Sequence, residues 1–317
     1  MVYGVGEAPG KIILMGEHAV VYGAPAIALP FFSVGVKCTV RSHPGDTYIK
    51  SVCYEGPLTT SPSSVEGIKK LIEVTLEYLQ QENKDLRIII ESLIPPQRGL
   101  GSSAAVSVAI VRALFDAYHT VLSFDILNQL VSIAESIHHF KPSGLDAATI
   151  LNEKLTVYQK GNPFYNPKST LEGYLVVGDS GIEGNTKQAV SEVKQRFEDN
   201  PNEMREHIEQ ISQLTLKTEL ALLENNIHTV GVSMLQAHSH LKKMGVSDAT
   251  MDNYVEVAMD AGAFGAKITG GGKGGCMIAI VNSVIEAEKI SQELLKAGMK
   301  QTWVYNMKEV QTHASNR

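Results

Sequence analysis

The chain has 317 residues, of which 44% are hydrophobic and 20% charged, and its formal net charge at pH 7 is −6. This length allows two domains with a large apolar core, and the acidic balance argues against nucleic acids and anionic membranes as partners. Three cysteines without a pairing pattern indicate a reducing compartment. We see no signal-peptide pattern and no apolar run long enough to span a membrane, so we expect a cytoplasmic protein.

The hydrophobic pattern predicts strands and helices in mixed order. The N-terminal part reads as strands at 11–15, 26–29, 34–41 and 47–52, a helix at 63–82 and a strand at 86–94. Helices at 104–118 and 124–139, a strand at 156–159, a linker or long turn at 161–169 and a strand at 174–177 follow. The rest reads as helices at 183–198, 203–225, 228–243 and 248–261, strands at 266–269 and 276–281, a helix at 284–297 and a strand at 302–306. Such an order, without regular βαβ alternation, predicts an α+β fold.

The most informative segment is PPQRGLGSSAA, at 95–105, which lies between a predicted strand and a predicted helix. Gly99 and Gly101 let the chain turn tightly and let a ligand approach the backbone. The unpaired N–H groups and the positive dipole at the start of the helix form an anion site, with the hydroxyls of Ser102 and Ser103 beside it. We expect a nucleotide polyphosphate there, although an ordinary capped strand-to-helix turn is the alternative.

Two other phosphate-binding motifs do not fit this segment. A Walker A loop needs a lysine before the Ser/Thr at the start of the helix, and none stands here. The dinucleotide fold needs a strand that ends in an acidic residue about 20 residues later, whereas the pattern after residue 124 is helical.

Charged residues stand at both ends of the strand in GEAPGKIILMGEHAVVYG, at 6–23. Lys11 opens this strand, a position at which a lysine is otherwise a solvated flank. Glu17 and His18 follow it, and apolar residues continue directly after them. Polar groups held beside buried backbone need partners, and a hydroxylated substrate is one candidate.

Two carboxylates flank a Pro-Ser-Gly turn in AESIHHFKPSGLDAAT, at 134–149. Glu135 falls near the end of a helix, and Pro142 and Gly144 reverse the chain so that Asp146 folds back toward that end. One carboxylate can then ligate a magnesium ion while the other accepts a proton. Alternatively, Asp146 only caps the next helix.

A third glycine-rich stretch, KITGGGKGGC at 267–276, lies between two predicted strands. Its glycines would line a ligand with backbone alone, unless the stretch is a long flexible hairpin. Because a strand follows, the dinucleotide interpretation fails here too. The ten histidines show no metal-ligand spacing such as H-E-x-x-H, so we expect no zinc site.

Taken together and in this order, the segments APGKIILMGEHAVVYG, PPQRGLGSSAA, KPSGLD and KITGGGKGGC resemble the three signature motifs of the GHMP kinases. Within that family, GEHAVVYG and PSGLD are most similar to the mevalonate kinases, and the length of the chain suggests their compact prokaryotic form. Galactokinases usually carry an acidic-Tyr pair after GEH, and phosphomevalonate kinases tend to have GEY.

The resemblance implies a two-domain fold with an active site in the cleft between the domains. Residues 1–180 would form an N-terminal α/β nucleotide-binding domain, and residues 181–317 a ferredoxin-like α+β domain that carries the third motif. It also implies phosphorylation of mevalonate with ATP and Mg²⁺, in a homodimer. The alternatives are a sibling kinase for phosphomevalonate or homoserine, and a catalytically silent member that binds a ligand.

The resemblance also assigns roles to individual residues. Asp146 would be the catalytic base with Lys11 as its partner, and Ser103 and Glu135 would hold the magnesium ion. The segment that wraps the ATP triphosphate would be Gln97, Arg98, Gly99, Leu100, Gly101, Ser102 and Ser103. The residues near the acceptor would be Glu17, His18 and Thr186, and the glycines near the ligand would be Gly270, Gly271 and Gly272.

This chain departs from the family pattern at two places. The family often reads PPGAGLGSS, whereas Gln97 and Arg98 stand at the Gly-Ala positions here. Arg98 would either add charge near the phosphates or face solvent. In the third motif, usually GAGGGG, Lys273 interrupts the glycines.

Overall fold

The structure is a computed structural model that describes residues 2–138 and 144–312, apart from the side chains of 134–138 and 311–312. Its strands are β1 (Tyr3–Met15), β2 (Ala26–Asp46), β3 (Tyr48–Lys50), β4 (Glu55–Pro57), β5 (Lys84–Ser92), β6 (Thr156–Tyr158), β7 (Tyr174–Asp179), β8 (Gly265–Thr269), β9 (Cys276–Val281) and β10 (Gln301–Asn306). Its helices are α1 (Glu66–Tyr78), α2 (Ser102–Ala117), α3 (Phe124–His138), α4 (Leu145–Asn152), α5 (Thr186–Asp199), α6 (Pro201–Leu223), α7 (Ile227–Lys243), α8 (Ala249–Asp260), α9 (Val284–Lys296) and α10 (Glu309–Thr312).

The chain divides into two compact units, and neither is continuous in sequence. The first unit consists of Met1–Gly10, Phe32–Pro95 and Gly101–Asn152. The second consists of Lys11–Phe31, Pro96–Leu100 and Glu153–Arg317. The long strands β1 and β2 are therefore each divided, with one part in the first unit and the other part in the second.

In the first unit, helices α1 to α4 pack together, and α2 contacts β5. The C-terminal part of β2 pairs antiparallel with β5, β3 lies parallel to β5, and β4 pairs with β3. Eleven of the 16 residues of α2 are buried, as expected for a helix that is apolar all round. A Cβ on Gly6 of β1 would lie 2.2 Å from the carbonyl oxygen of Ala109 in α2, so the strand approaches the helix closely because of its glycines.

In the second unit, an antiparallel sheet has the strand order β10-β7-β9-β8. Its order along the chain, with helices after β7 and after β9, is the ferredoxin-like β-α-β-β-α-β arrangement. Helices α7, α8 and α9 contact this sheet. Strands β9 and β8 are fully buried, and they lie at its centre and at its edge, respectively. The N-terminal part of β2 also pairs with β6 in this unit. The predicted α+β fold with a ferredoxin-like part is confirmed.

Several elements differ from the sequence prediction, and strand β4 and helix α10 were not predicted at all. The strands expected at 26–29 and 34–41 are one strand, β2, and β1 begins eight residues before the predicted strand. The added part of β1 contains Gly4 and Gly6, which let the strand pack closely against α2. Helix α4, which entered the prediction only as an element that Asp146 would cap, is a regular helix. No helix of the described residues is long and apolar enough to cross a membrane.

Candidate active site

The first glycine segment leads directly into the N-terminus of α2. Gly101 precedes the helix in the left-handed region, with φ 76°, and no side chain caps the first turn. Leu100 is buried, whereas the side chain of Ser103 is exposed. The start of this 16-residue helix therefore offers main-chain N–H groups and a hydroxyl, which is the chemistry of an anion site.

Within the second unit, the first glycine segment, which carries Gly99, crosses the glycine-rich loop of the third family motif, which carries Gly270. We call this loop the third glycine-rich loop. A Cβ on Gly99 would lie 3.1 Å from Cα of Gly270, and a Cβ on Gly270 would lie 2.9 Å from Cα of Gly99. Both residues have positive φ, 73° and 83°, so the crossing requires glycine on each side. The loop is buried at Gly270, Gly271 and Gly272, unlike a flexible hairpin on the surface.

A loop at 180–185, which we call the bridging loop, is hydrogen-bonded to both glycine segments. The N–H of Gly184 donates to the carbonyl of Gln97 at 2.9 Å, and the N–H of Ser180 donates to the carbonyl of Gly275 at 3.0 Å. In return, the N–H of Gly275 donates to the carbonyl of Ile182 at 2.9 Å. The bridging loop thus fixes the two glycine segments in the second unit.

Gly271 brings together two residues assigned to the acceptor. His18 Nε2 lies 3.0 Å from the carbonyl oxygen of Gly271. A Cβ on Gly271 would lie 2.6 Å from Oγ1 of Thr186, the exposed first residue of α5. Burial lowers the pKa of His18 to about 4, so the imidazole is neutral at pH 7. Since a carbonyl only accepts, Nε2 carries the proton, and Nδ1 is left as an acceptor.

Beside His18 lies an ion pair between Glu17 and Lys267, whose side chains are 1% and 0% exposed. Burial raises the pKa of Glu17 and lowers that of Lys267, and in each case the partner opposes the shift. The buried Lys11 acts electrostatically on both. Among the described residues, Glu17 Oε2 has no hydrogen-bond partner. Sequence reasoning missed Lys267, although a lysine inside an apolar strand was a signal for a buried pair.

The side chain of Arg98 does not face solvent, which was one of the two orientations considered from the sequence. It is buried, and its Nε donates to Oδ1 of Asp179 at 2.7 Å. The other donors reach the carbonyls of Gly181 and Pro96. The guanidinium group is thus held by protein groups. Lys273, the other departure, pairs with Glu192 of α5.

The remaining predicted residues lie as follows. Asp146 is half-buried and is the second residue of α4, just after Gly144 with φ 82°, so it does not stand at the cap position. The N–H of Lys11 donates to the carbonyl of Leu100 at 2.9 Å in the second unit. The side chain of Glu135 lies outside the described residues. In the part of the chain that is described, no three His, Cys, Asp or Glu side chains group as a metal site.

Comparison with known proteins identifies the family. The model of the GHMP kinases N terminal domain matches residues 67–154, and that of the GHMP kinases C terminal domain matches residues 219–301. A curated mevalonate kinase of Pyrococcus furiosus is 32% identical over 297 residues, which cover 87% of this chain and 88% of the relative.

Solved structures agree with this similarity. Mevalonate kinase from L. major, in complex with R-mevalonate, has a TM-score of 0.82 at 26% identity, over 96% of this chain and 95% of that one. Mevalonate kinase from methicillin-resistant Staphylococcus aureus has a TM-score of 0.75 at 31% identity, over 97% and 99%. The chain belongs to the GHMP kinase family, a family of kinases that act on small molecules with ATP.

Proposed function

We propose that this protein transfers the γ-phosphoryl group of ATP to the terminal hydroxyl of mevalonate, giving 5-phosphomevalonate in isoprenoid biosynthesis. Similarity to mevalonate kinases over most of the chain supports this acceptor. The structural observation that carries the proposal is the arrangement around Gly271, where a neutral His18 and Thr186 meet the third glycine loop.

The donor side of the proposal rests on the first glycine segment. Phosphoryl transfer has a loose transition state, so alignment and neutralisation of charge matter most. Main-chain N–H groups of residues 97–103 would hold the triphosphate, because Leu100 is buried and the α2 N-terminus has no side-chain cap. Ser103 and Glu135 would hold a magnesium ion, and the exposed hydroxyl of Ser103 fits that role. When bound, the magnesium ion neutralises phosphate charge.

On the acceptor side, a primary alcohol is a poor nucleophile at neutral pH. Asp146 would accept its proton as the new P–O bond forms. Lys11 would stabilise negative charge on the transferring group. His18 Nδ1, as a neutral acceptor, and Glu17 and Thr186 would orient the hydroxyl groups of the acceptor.

Release of ADP, measured with a panel of acceptors, tests the proposal. We expect turnover with mevalonate and little with phosphomevalonate, homoserine or galactose. A preference for one of the other acceptors would assign the protein to a sibling kinase. Binding of ATP without turnover of any acceptor would indicate a catalytically silent member.

Three further properties belong to the same proposal. The division into domains near residue 180, the homodimer and the cytoplasmic location follow from the family resemblance and the composition. Light scattering coupled to gel filtration tests the homodimer directly, and a monomeric mass would contradict it.

A further inference from the structure

Arg98 forms a buried ion pair that joins two segments distant in sequence. The side chains of Arg98 and Asp179 are 6% and 2% exposed. Arg98 Nε donates to Asp179 Oδ1 at 2.7 Å, while its two terminal nitrogens donate to the carbonyls of Gly181, at 2.9 Å, and Pro96, at 3.1 Å. The same carboxylate oxygen accepts the N–H of Gly181 at 2.8 Å. A guanidinium fork can make these bonds together, whereas an ammonium group cannot.

The main chain around Arg98 joins the same segments. A Cβ on Gly275 would lie 3.1 Å from the carbonyl oxygen of Arg98, and the preceding residue, Gln97, accepts the N–H of Gly184. The residue after Arg98 is Gly99, which crosses Gly270. Any rotation of the chain at Arg98 would therefore move the segment that we assign to the triphosphate.

These contacts depend on a residue at which the chain departs from its family pattern. The pattern often has Gly-Ala where this chain has Gln97 and Arg98, and neither glycine nor alanine has a side chain that could reach Asp179. In this protein, a side chain therefore holds the conformation of the first glycine segment. Because both charges are buried, the pair is sensitive to the loss of either partner.

We propose that Arg98 and Asp179 are a positioning pair, which fixes the first glycine segment against the bridging loop so that its N–H groups meet the phosphates of ATP. This proposal rests on the proposed function, since it requires ATP to bind at residues 97–103. The pair acts through the main chain and is not a catalytic group. Its loss should weaken nucleotide binding and leave acceptor recognition nearly unchanged.

The test is titration calorimetry with the ATP analogue AMPPNP and Mg²⁺, together with the KM for mevalonate. Arg98→Lys keeps the charge but not the fork, so the Kd for AMPPNP should rise about 10-fold or more. The KM for mevalonate should stay within about twofold. Arg205→Met, which removes an exposed arginine of α6 in the same unit, is the matched control and should leave both values unchanged.

Arg98→Met alone leaves a buried, unpaired carboxylate and is expected to unfold easily. The double variant Arg98→Met/Asp179→Asn removes both charges and keeps an acceptor for Gly181. It should fold, with a thermal midpoint near that of the wild type, yet still bind AMPPNP weakly.

Wild-type AMPPNP affinity in both Arg98→Lys and the double variant would overturn the positioning role. An equal rise in Kd and in the KM for mevalonate would also overturn it, because that indicates general loosening. If the wild type itself failed to bind AMPPNP, the ATP assignment would fall and the positioning role with it. The two failures are thus distinguishable.

Discussion

His18 has an uncommon backbone conformation, with φ 60°. A residue other than glycine in this region costs about 1–3 kcal/mol and persists only where its surroundings fix it. Here the ring is bonded to the Gly271 carbonyl, and the preceding Glu17 is held by Lys267. Backbone strain of this kind, at a residue that contacts a glycine-rich loop, is typical of functional sites.

We predict that His18→Leu raises the KM for mevalonate, with a smaller effect on kcat, because it removes the Nδ1 acceptor. His18→Asn is the control, since asparagine tolerates positive φ and can still donate to Gly271; its effect should be smaller. Steady-state kinetics with saturating ATP provide the measurement. An unchanged KM in the leucine variant would make the role of His18 structural.

We predict that Asp146→Ala lowers kcat by roughly 10²–10⁴-fold, the usual contribution of a general base, with little change in ATP affinity. Asp125, an acidic residue in the first turn of α3 in the same unit, offers a matched control. Asp125→Ala should keep full turnover. If Asp146→Ala kept it too, Asp146 would have no part in the mechanism.

At the scale of elements, helices and strands with clear periodicity were predictable. Helices α2, α5 and α9 and strand β9 lie within a few residues of their predicted bounds, because each has regular apolar spacing and a local start or stop signal. The start of β1 was not predictable, since Gly4, Gly6 and Pro9 favour a loop in any local view. Packing against α2 explains the two glycines.

The candidate site, like the fold, was predictable from the sequence only in part. The glycine segments and the residues of GEH were visible as local motifs. Their partners were not, because Asp179 stands 81 residues from Arg98, and Lys267 stands 250 residues from Glu17. A pairing over such distances depends on tertiary structure, and local spacing contains no signal for it.

Close packing of the third glycine-rich loop predicts a difference between two glycines that both have positive φ. Gly272 (φ 77°) and Gly262 (φ 111°) both have positive φ, but a Cβ on Gly272 would lie 1.9 Å from the Val246 carbonyl oxygen, whereas a Cβ on Gly262 meets nothing within 4 Å. We expect Gly272→Ala to lower the thermal midpoint and the AMPPNP affinity, and Gly262→Ala to show only the cost of backbone strain, about 1 kcal/mol. Equal thermal midpoints for the two variants would contradict the close approach of Gly272 to the Val246 carbonyl.

At the scale of the whole molecule, buried histidines make stability depend on pH. Burial lowers the pKa of both His18 and His238 from 6.5 to about 4, opposed at His238 by Asp252 and assisted by Lys267. Between about pH 4 and pH 6.5, the unfolded chain therefore binds more protons at these two histidines than the folded protein does. The free energy of unfolding should therefore fall as the pH falls from 6.5 toward 4, by at most about 1.4 kcal/mol per pH unit for each group.

Urea unfolding at pH 7 and at pH 5 tests this prediction. His238→Gln should reduce the loss of stability between the two pH values by about 1–2 kcal/mol. His228→Gln, at an exposed position on α7, should show the same loss as the wild type. If His238→Gln also showed the wild-type loss, His238 would not contribute to the acid sensitivity.

The second unit is assembled from three separate stretches of chain, and this has a consequence for biosynthesis. Glu17 leaves the ribosome 250 residues ahead of Lys267, which at 5–20 residues per second is a delay of roughly 10–50 s. For Pro30, whose carbonyl accepts a hydrogen bond from Tyr305, the delay between synthesis of the two partners is even longer. The segment that carries Glu17 and His18 thus remains without its final neighbours until translation is nearly complete, and a truncated nascent chain could not form this part of the enzyme.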